Sequence, residues 1–425
     1  MYIKSVEITN IRSISKFKME FTEPAGWHVL IGDNGAGKSG FIRSIAGALI
    51  GPEELKGIQL NWNEYLKWKE KKGSILLNIE RTDLDVQGGI SGVAEKFKVQ
   101  LNIIRSDTDL AVLDEKGGAK SQAKNSLWGG RSGWFSAGYG SFRRFTGGSY
   151  DMDKVYENPS YTRLAAHLSL FGEDVALSEA TKWLMKLHVE VLEKSISESL
   201  LMDIKKFINS SDFLPFKAKL KEISSKGVTF IDGNGAEITV SQMSDGYRSI
   251  LSLTFELIRQ LVRVYGENKV FRNIRKEEMI IDLPGVVLID EVDTHLHPTW
   301  QTRIGQWFRK YFPNMQFIVS THSPLICRAC DTGSIWRLAA PGSEMESGEI
   351  KGISKDRLIY GNVLDAYGTD VFGEAVTISK KSSDRRKRMA ELNIKSLTGE
   401  DLSNEEKIEL FDLKQIFPTE KTRMK

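Results

Sequence analysis

The chain has 425 residues, of which 40% are hydrophobic and 27% charged, and its net charge is +3. These values are ordinary for a soluble globular protein, and the net charge is too small to indicate a nucleic-acid partner except through a local patch. Two cysteines cannot form a disulfide framework. No signal peptide and no apolar run of ~18 residues are found, so we expect a cytoplasmic protein with no membrane partner.

The first predicted elements surround a glycine-rich motif. Residues 1–30 alternate apolar and polar side chains, and IGDNGAGKSG at 31–40 lies between an apolar run and a segment with helical spacing. Strand, glycine turn and helix is the context of a phosphate-binding loop, whose backbone N–H groups hold the phosphates. Lys38 would reach the β- and γ-phosphates, and the Ser39 hydroxyl would bind Mg²⁺. The residues that we assign to the nucleotide here are Asn34, Gly35, Gly37, Lys38 and Ser39.

Further strands are predicted at 75–81 and 95–104. The stretch 127–148 is too rich in glycine for a regular element and too aromatic for a solvated linker, so we predict an ordered functional loop. Arg143 and Arg144 lie beside aromatic residues in this loop. They either bind phosphates or bases or anchor the loop to carboxylates, and the sequence leaves both roles open.

Helical spacing dominates residues 157–226, without the heptads of a long coiled coil, and predicts a helical insertion. Strand signals return at 227–240, where 233–235 has the composition of a hairpin turn. A helix is predicted at 244–265. The chain becomes polar and charged after residue 376 and ends in predicted helices.

The run GVVLIDEVD at 285–293 predicts a buried strand that ends in two carboxylates. Asp290 is at the position where a P-loop protein binds its Mg²⁺. Glu291 follows it, where a carboxylate can polarise the attacking water. An ordinary strand end that enters an acidic turn is the alternative interpretation.

A second buried strand is predicted at 315–320, and His322 follows it closely. That position suits a sensor of the γ-phosphate, so we assign His322, with Glu291, as a catalytic candidate. A single histidine at a strand end is more often structural, which is the alternative.

The segment SQMSDGYRS at 241–249 precedes a predicted helix. Ser244 can donate a hydrogen bond to a phosphate, Gly246 permits close approach of the backbone, and Asp245 is a small polar neighbour. The helix N-terminus adds a favourable dipole. A simple helix cap would explain the serine alone, so we assign Ser244, Asp245 and Gly246 to the nucleotide.

In this order the motifs resemble those of the ATP-binding-cassette (ABC) superfamily, in its branch of chromosome-maintenance and recombination ATPases. The resemblance implies an α/β fold: an ABC-type P-loop ATPase head with a mixed sheet flanked by helices, a helical insertion and an α-helical C-terminal tail. It implies ATP and Mg²⁺ as cofactors, with Ser39 and Asp290 as metal ligands. Residues 244–247 would be the signature, Asp293 the D-loop residue and His322 the switch histidine.

Two heads of that superfamily enclose two ATPs, and each phosphate loop faces the signature of the other head. The resemblance therefore implies a homodimer or a higher even oligomer. The sequence departs from the pattern of transporters at Asp245 and Tyr247, where those proteins usually have glycine and glutamine. The Q-loop glutamine is not assigned, because Gln87 and Gln100 are both plausible.

Four segments follow from this reading. They are an N-terminal ATPase lobe at 1–155, a helical insertion at 156–226, a C-terminal ATPase lobe at 227–375 and a charged helical tail at 376–425.

Segments such as GYGSFRRFTGG, DEVDTHLHPTWQ and STHSPLI resemble the ATPases of bacterial anti-phage systems, nearest to the Septu-type PtuA ATPases that also occur with some retrons. In those systems the ATPase works with a separate HNH-type nuclease and, in retrons, with a reverse transcriptase and its RNA–DNA product. The motifs contain no catalytic group beyond the ATP chemistry, which favours an ATPase that controls a nuclease partner. The alternative is a recombination- or repair-type ATPase that binds DNA directly.

Three other features carry weaker signals. His295 and His297 with nearby aspartates resemble a metal cluster, but a spacing of two in a loop is weak evidence. Cys327 and Cys330 lack the further ligands of a structural zinc site. The basic run at 380–388 is either a solvated helix face or a surface for nucleic acid or a partner.

Overall fold

A computed structural model of the chain describes residues 1–58, 60–85, 95–106, 110–113, 123–124, 126–128, 134–141, 158–172, 178–195, 197–210, 214, 218–362, 380–397 and 402–417. Contacts divide the chain into a first unit at 1–366 and a second at 367–425. Within the described residues, no helix is both long and apolar enough to cross a membrane.

The described strands are β1 Tyr2–Ile11, β2 Ile14–Glu20, β3 Gly26–Ile31, β4 Lys72–Glu80, β5 Lys96–Arg105, β6 Ala111–Leu113, β7 Ser136–Tyr139, β8 Lys219–Ser224, β9 Gly227–Ile231, β10 Glu237–Thr239, β11 Gly285–Ile289, β12 Met315–Thr321, β13 Gly333–Arg337 and β14 Gly348–Ile350. The described α-helices are α1 Lys38–Ile50, α2 Pro52–Leu55, α3 Trp62–Tyr65, α4 Thr162–His167, α5 Ser178–Leu192, α6 Ser199–Ser210, α7 Asp245–Tyr265, α8 Glu267–Val270, α9 Pro298–Gln301, α10 Ile304–Tyr311, α11 Gly352–Tyr360, α12 Lys380–Leu397 and α13 Asn404–Ile416.

A six-stranded sheet lies at the centre of the first unit, in the order β14–β13–β3–β12–β11–β7. Strand β14 pairs antiparallel with β13, and the other neighbours are parallel. Strands β3, β11 and β12 are buried along their whole length, as expected of apolar runs in a sheet covered on both faces. Their carboxyl ends therefore meet at one edge of the sheet.

A second sheet is antiparallel, in the order β2–β1–β4–β5–β6. It confirms the strands predicted at 1–30, 75–81 and 95–104. Helix α1 contacts strands of both sheets, and its apolar side chains, among them Phe41 and Ile45, are fully buried. This packing fixes the glycine-rich loop that precedes α1.

The predicted fold class is confirmed: the first unit is an α/β head with a mixed sheet and flanking helices. Helices α4, α5 and α6 lie in the predicted insertion, and β9 and β10 form the predicted hairpin. The finer division into two lobes and an insertion stays a prediction.

The prediction that 127–148 contains no regular element is wrong at Ser136–Tyr139. These residues form β7, which pairs with β11 at the edge of the central sheet. The glycines allow close packing: a Cβ added at Gly140 would lie 2.1 Å from the Ser169 carbonyl oxygen, and one at Gly138 would lie 2.4 Å from Leu170. Most of the remaining loop, including Arg143 and Arg144, lies outside the described residues.

The prediction of helix up to residue 226 is also wrong, because β8 at Lys219–Ser224 pairs antiparallel with β9. The register shifts between Leu220 and Glu222, so the buried side chains of β8 are Leu220 and Ile223. A bulge thus converts the two-residue period of a strand into a spacing of three, which is typical of a helix.

The described part of the second unit is a hairpin of the predicted tail helices, α12 and α13. Its core consists of Leu392, Leu410 and Leu413, with partly buried neighbours. Helix α13 begins with a capping box in which Ser403 and Glu406 bond each other's backbone N–H.

Candidate functional site

The glycine-rich loop connects the end of β3 to the start of α1. Gly35 has a φ of 80° and Gly37 one of 108°, a region that favours glycine. A Cβ added at Gly37 would also lie 2.4 Å from Ser13 Oγ. Because α1 begins at Lys38, the unpaired N–H groups of its first turn face the loop. This geometry suits the binding of a phosphate.

Lys38 is buried, and its ammonium has three partners. Nζ donates to the carbonyl oxygens of Gly32 at 2.8 Å and Asp33 at 3.1 Å, and it lies 2.9 Å from Nε2 of His322. Burial lowers the pKa of Lys38, and nearby carboxylates, Glu291 foremost, oppose the shift. A phosphate bound by Lys38 would replace one of its present acceptors.

His322 is half-buried directly after β12. Burial, and then the charge of Lys38, lower the pKa of His322 below its ordinary value. The ring is therefore neutral near pH 7, and a neutral ring nitrogen can accept from the ammonium.

Asp290 and Glu291 follow β11 and are held by one hydroxyl group. Ser320 Oγ, on the neighbouring strand β12, donates to Asp290 Oδ1 at 2.5 Å. The same Oγ accepts from the backbone N–H of Glu291 at 2.8 Å. Both Asp290 and Ser320 are buried, so this hydroxyl fixes the position of the carboxylate pair.

The loop after Glu291 is held by the end of β12 as well. Thr321 donates a hydrogen bond to Asp293, and Thr294 donates to Glu291 Oε2 at 3.3 Å. Glu291 has a φ of 46° and His295 one of 65°. Non-glycine residues rarely adopt these values, so this loop keeps a conformation that its surroundings impose.

The predicted signature lies at the start of α7. Ser244 is the N-cap residue, but its side chain makes no capping hydrogen bond, which leaves the hydroxyl available to a ligand. A Cβ added at Gly246 would lie 2.8 Å from the carbonyl oxygen of His295. Asp245 is exposed and pairs with Arg248. The start of α7 therefore touches the loop that carries Glu291.

A groove of about 1250 Å³ opens beside the signature. Ser244, Asp245 and Gly246 line it together with His297 and Trp300, and no residue of the glycine-rich loop does. The structure thus brings Lys38, Asp290, Glu291 and His322 to one edge of the sheet, whereas the predicted signature lines a separate groove.

The histidine and cysteine signals gain no support as metal sites. Within the described residues, no group of three or more His, Cys, Asp or Glu side chains could hold a metal ion. Cys327 and Cys330 are buried and unbonded to each other. Gln100 lies in β5 and donates to Asn102, whereas Gln87 lies outside the described residues.

Sequence reasoning missed Ser320 and Thr321, which hold Asp290 and Asp293. It also missed Gln301, which accepts from Ser323 at 2.7 Å and donates to the carbonyl oxygen of Leu296. The available signal was the run of hydroxyl residues in STHS, at the end of the strand beside the acidic one.

The side chains fit a nucleotide with its metal. Hydroxyl and carboxylate oxygens, here from Ser39 and Asp290, are the ligands that Mg²⁺ prefers. Asn34 and Gly35 are exposed in the loop, so the backbone there is open to a triphosphate.

Residues 151–328 match the family described as "AAA domain, putative AbiEii toxin, Type IV TA system". The Septu protein PtuA of Bacillus mycoides is 29% identical over 341 residues, which are 79% of this chain and 40% of that protein. A probable ATPase of retron Ec83 from Escherichia coli is 35% identical over 168 residues, 38% of this chain and 29% of that protein. The chain thus spans less than half the length of either relative.

The SMC head domain from Thermotoga maritima is similar in structure, with a TM-score of 0.42 and 13% sequence identity, over 83% of this chain and 99% of that one. The sequence relatives confirm the resemblance that the motifs predict: the chain is similar to the ATPases of anti-phage defence systems, with the Septu protein PtuA and a retron ATPase among its relatives.

Proposed function

We propose that this chain binds and hydrolyses ATP as a subunit of an anti-phage defence complex. The observation that carries the proposal is the cluster of Lys38, Asp290, Glu291 and His322 at the ends of three adjacent parallel strands. A cation, two carboxylates and a neutral histidine at one sheet edge can bind phosphates, hold a metal ion and direct a water molecule.

In this proposal the backbone N–H groups of Asn34, Gly35 and Gly37 bind the phosphates, and Lys38 binds the β- and γ-phosphates. Ser39 and Asp290 hold Mg²⁺, which would neutralise the developing phosphate charge. Glu291 polarises the attacking water. The hydrogen bond from the backbone N–H of Glu291 to Ser320 Oγ orients Glu291. His322 contacts Lys38 and senses the γ-phosphate.

We further propose a homodimer, or a higher even oligomer, in which each nucleotide lies between two copies. The separation of the signature groove from the glycine-rich loop supports this proposal, because Ser244 and Gly246 would then serve the nucleotide of the partner. A symmetric pair closes both sites at once.

The effector in this proposal is a separate HNH-type nuclease, accompanied in retron systems by a reverse transcriptase and its RNA–DNA product. The sequence relatives support this partner class through their Septu and retron names. ATP binding or turnover would control the nuclease.

The test uses Glu291→Gln, which keeps the shape of the side chain and removes the base. We expect it to bind ATP, to lose ATP turnover by about 10²-fold or more, and to retain partners in pull-downs with ATP and Mg²⁺. Glu278→Gln, at an exposed position, is the matched control and should turn over ATP normally. A parent protein that binds no ATP would overturn the proposal, and a pull-down without a nuclease would overturn the partner.

The alternative is an ATPase that binds DNA directly. The basic residues at the start of α12, among them Arg385, Arg386 and Lys387, are exposed and favour this alternative. Salt-sensitive DNA binding by the purified protein, lost when these three residues are changed to glutamine, would support it. DNA recovered without a nuclease in the Glu291→Gln pull-down would point the same way.

A further inference from the structure

One face of the α12–α13 hairpin is exposed and apolar at its centre. The side chains of Ile408 and Ile416 are 64% and 52% exposed. Among the described residues of the hairpin, the buried core consists of three leucines, which is a small core. Additional burial of these isoleucines would stabilise the hairpin, because it removes apolar surface from water.

Charged side chains surround the two isoleucines in a defined order. Glu405, Ile408, Asp412 and Ile416 have helical spacing on one face of α13, and they line a groove of about 530 Å³ with Arg385 of α12. The groove therefore contains acidic, apolar and basic groups along one line.

Contacts between the helices fix which charge lies at which end. Arg388 pairs with Glu409 at 3.1 Å, and Arg386 lies 5.1 Å from the ring centre of Phe417. The helices are thus antiparallel, and Arg385 lies near the C-terminal end of α13. Glu405 lies at the opposite end of α13, about 16 Å from Ile416 along the helix axis at 1.5 Å per residue.

This order is self-complementary under a two-fold rotation. Turning the face about an axis near Asp412 exchanges Ile408 with Ile416 and brings the basic end onto the acidic end. Surfaces that pair about a two-fold axis must be self-complementary. If residue i of one copy contacts residue j of the other, then residue j of the first copy also contacts residue i of the second.

We propose that a second copy of this chain packs on this face about that axis. Ile408 then contacts the partner's Ile416, and Arg385 pairs with the partner's Glu405. Both contacts occur twice, and Arg388, which lines the same groove, supplies a cation beside the two Asp412 carboxylates. The acidic residues disfavour nucleic acid as the occupant.

The contact is small, so the extent of pairing should rise with the protein concentration. It goes beyond the proposed function, because no group of the nucleotide site takes part in it. The contact therefore forms with or without ATP.

The test is disulfide trapping in the full chain. Asp412→Cys places a thiol near the proposed axis, where two copies meet, and Lys414→Cys places one about 200° around the same helix. Both positions are exposed, and the native cysteines are buried. Under mild oxidation we expect at least tenfold more covalent dimer from Asp412→Cys, equally with ATP and without it. Equal trapping at both positions, or trapping at neither, would overturn the proposal.

Charge exchange in the Asp412→Cys background provides a second test, which depends on the charges at the two ends of the face. In Asp412→Cys proteins that also carry Arg385→Glu or Glu405→Lys, each variant alone brings like charges together, so trapping should fall severalfold. An equal mixture of the two variants brings opposite charges together at both contacts and should restore trapping. Circular dichroism should show unchanged helix content. Failure of the mixture to recover, or trapping of a copurified nuclease instead of a second copy, would overturn the self-pairing.

Discussion

The ammonium of Lys38 and the ring of His322 are 284 positions apart in the chain, yet Nζ lies 2.9 Å from Nε2. Adjacent parallel strands β3 and β12 bring them together, because Lys38 follows the loop after β3 and His322 follows β12 directly. Whatever binds Lys38 is therefore in contact range of His322. This pair joins the glycine-rich loop to the end of β12, where Ser320 and Thr321 donate hydrogen bonds to Asp290 and Asp293.

Lys38→Met should raise the pKa of His322, because the charge of Lys38 is, after burial, the next cause that lowers it. The measurement is an NMR titration of the histidine ring protons. Lys226→Met, at an exposed lysine, is the control, and an unmoved His322 titration in Lys38→Met would contradict the assignment.

Ser320→Ala should lower the free energy of unfolding by about 1–3 kcal/mol, because Asp290 loses a donor in a buried place. ATP turnover should fall further than ATP binding, since Glu291 loses its backbone anchor. Urea unfolding and a turnover assay measure the two effects. Ser252→Ala is the matched control: Ser252 is also buried, and its hydroxyl has no partner within the described residues. Equal losses in the two variants would contradict this role.

Stability should fall between about pH 6.5 and pH 4 because of two buried histidines. Burial lowers the pKa of His28 and of His167 to about 4. Above the unfolded pKa of about 6.5 both states are neutral at these histidines, and the folded state keeps its full stability. As the pH falls below about 6.5, the unfolded state binds protons that the folded state does not, so stability is lost. At pH 5 the loss is about 2 kcal/mol for each group.

Urea unfolding at pH 7.5 and pH 5 measures this loss, and His167→Met should reduce the pH dependence by about half of it. Ser252→Ala, at a buried residue that does not titrate, should leave the pH dependence unchanged. The prediction is wrong if the parent and His167→Met show the same difference between the two pH values.

Gly140→Ala should destabilise the head by about 1–3 kcal/mol, since the added methyl group would meet the Ser169 carbonyl oxygen at 2.1 Å. Tyr139, its neighbour, accepts from the N–H of Asp290 at 2.8 Å, so ATP turnover should also fall. Thermal unfolding and turnover are the measurements. Gly348→Ala is the control, because its added methyl group would have no neighbour within 4 Å among the described residues; a similar loss there would contradict the packing argument.

The elements that the sequence predicts well are those with a local signal. The glycine pattern before Lys38 requires strand, turn and helix in that order, and the buried run before Asp290 ends in charge. Both can be recognised within about ten residues, because the loop geometry and the strand burial depend on neighbouring residues.

Features that depend on distant partners could not be predicted. In the sequence, Ser320 is only a polar residue in an apolar strand. Its role depends on β11, which pairs beside β12 and brings Asp290 within hydrogen-bonding distance of Ser320. In the sequence, Gly138 and Gly140 indicate a loop. In the structure, residues 167–170 pack against both glycines and leave no space for a side chain. In β8 a bulge removed the two-residue period, so the local pattern indicated the wrong element.

The contact between Gly246 and His295 has a consequence for the proposed dimer. In that dimer, the loop that carries Glu291, the proposed base at the chain's own nucleotide, would also support the predicted signature that the chain offers to the other copy. Occupancy of one nucleotide pocket would then alter the affinity of the other, so the Hill coefficient of ATP binding would differ from 1. One backbone contact would thus couple the binding of the two ATP molecules.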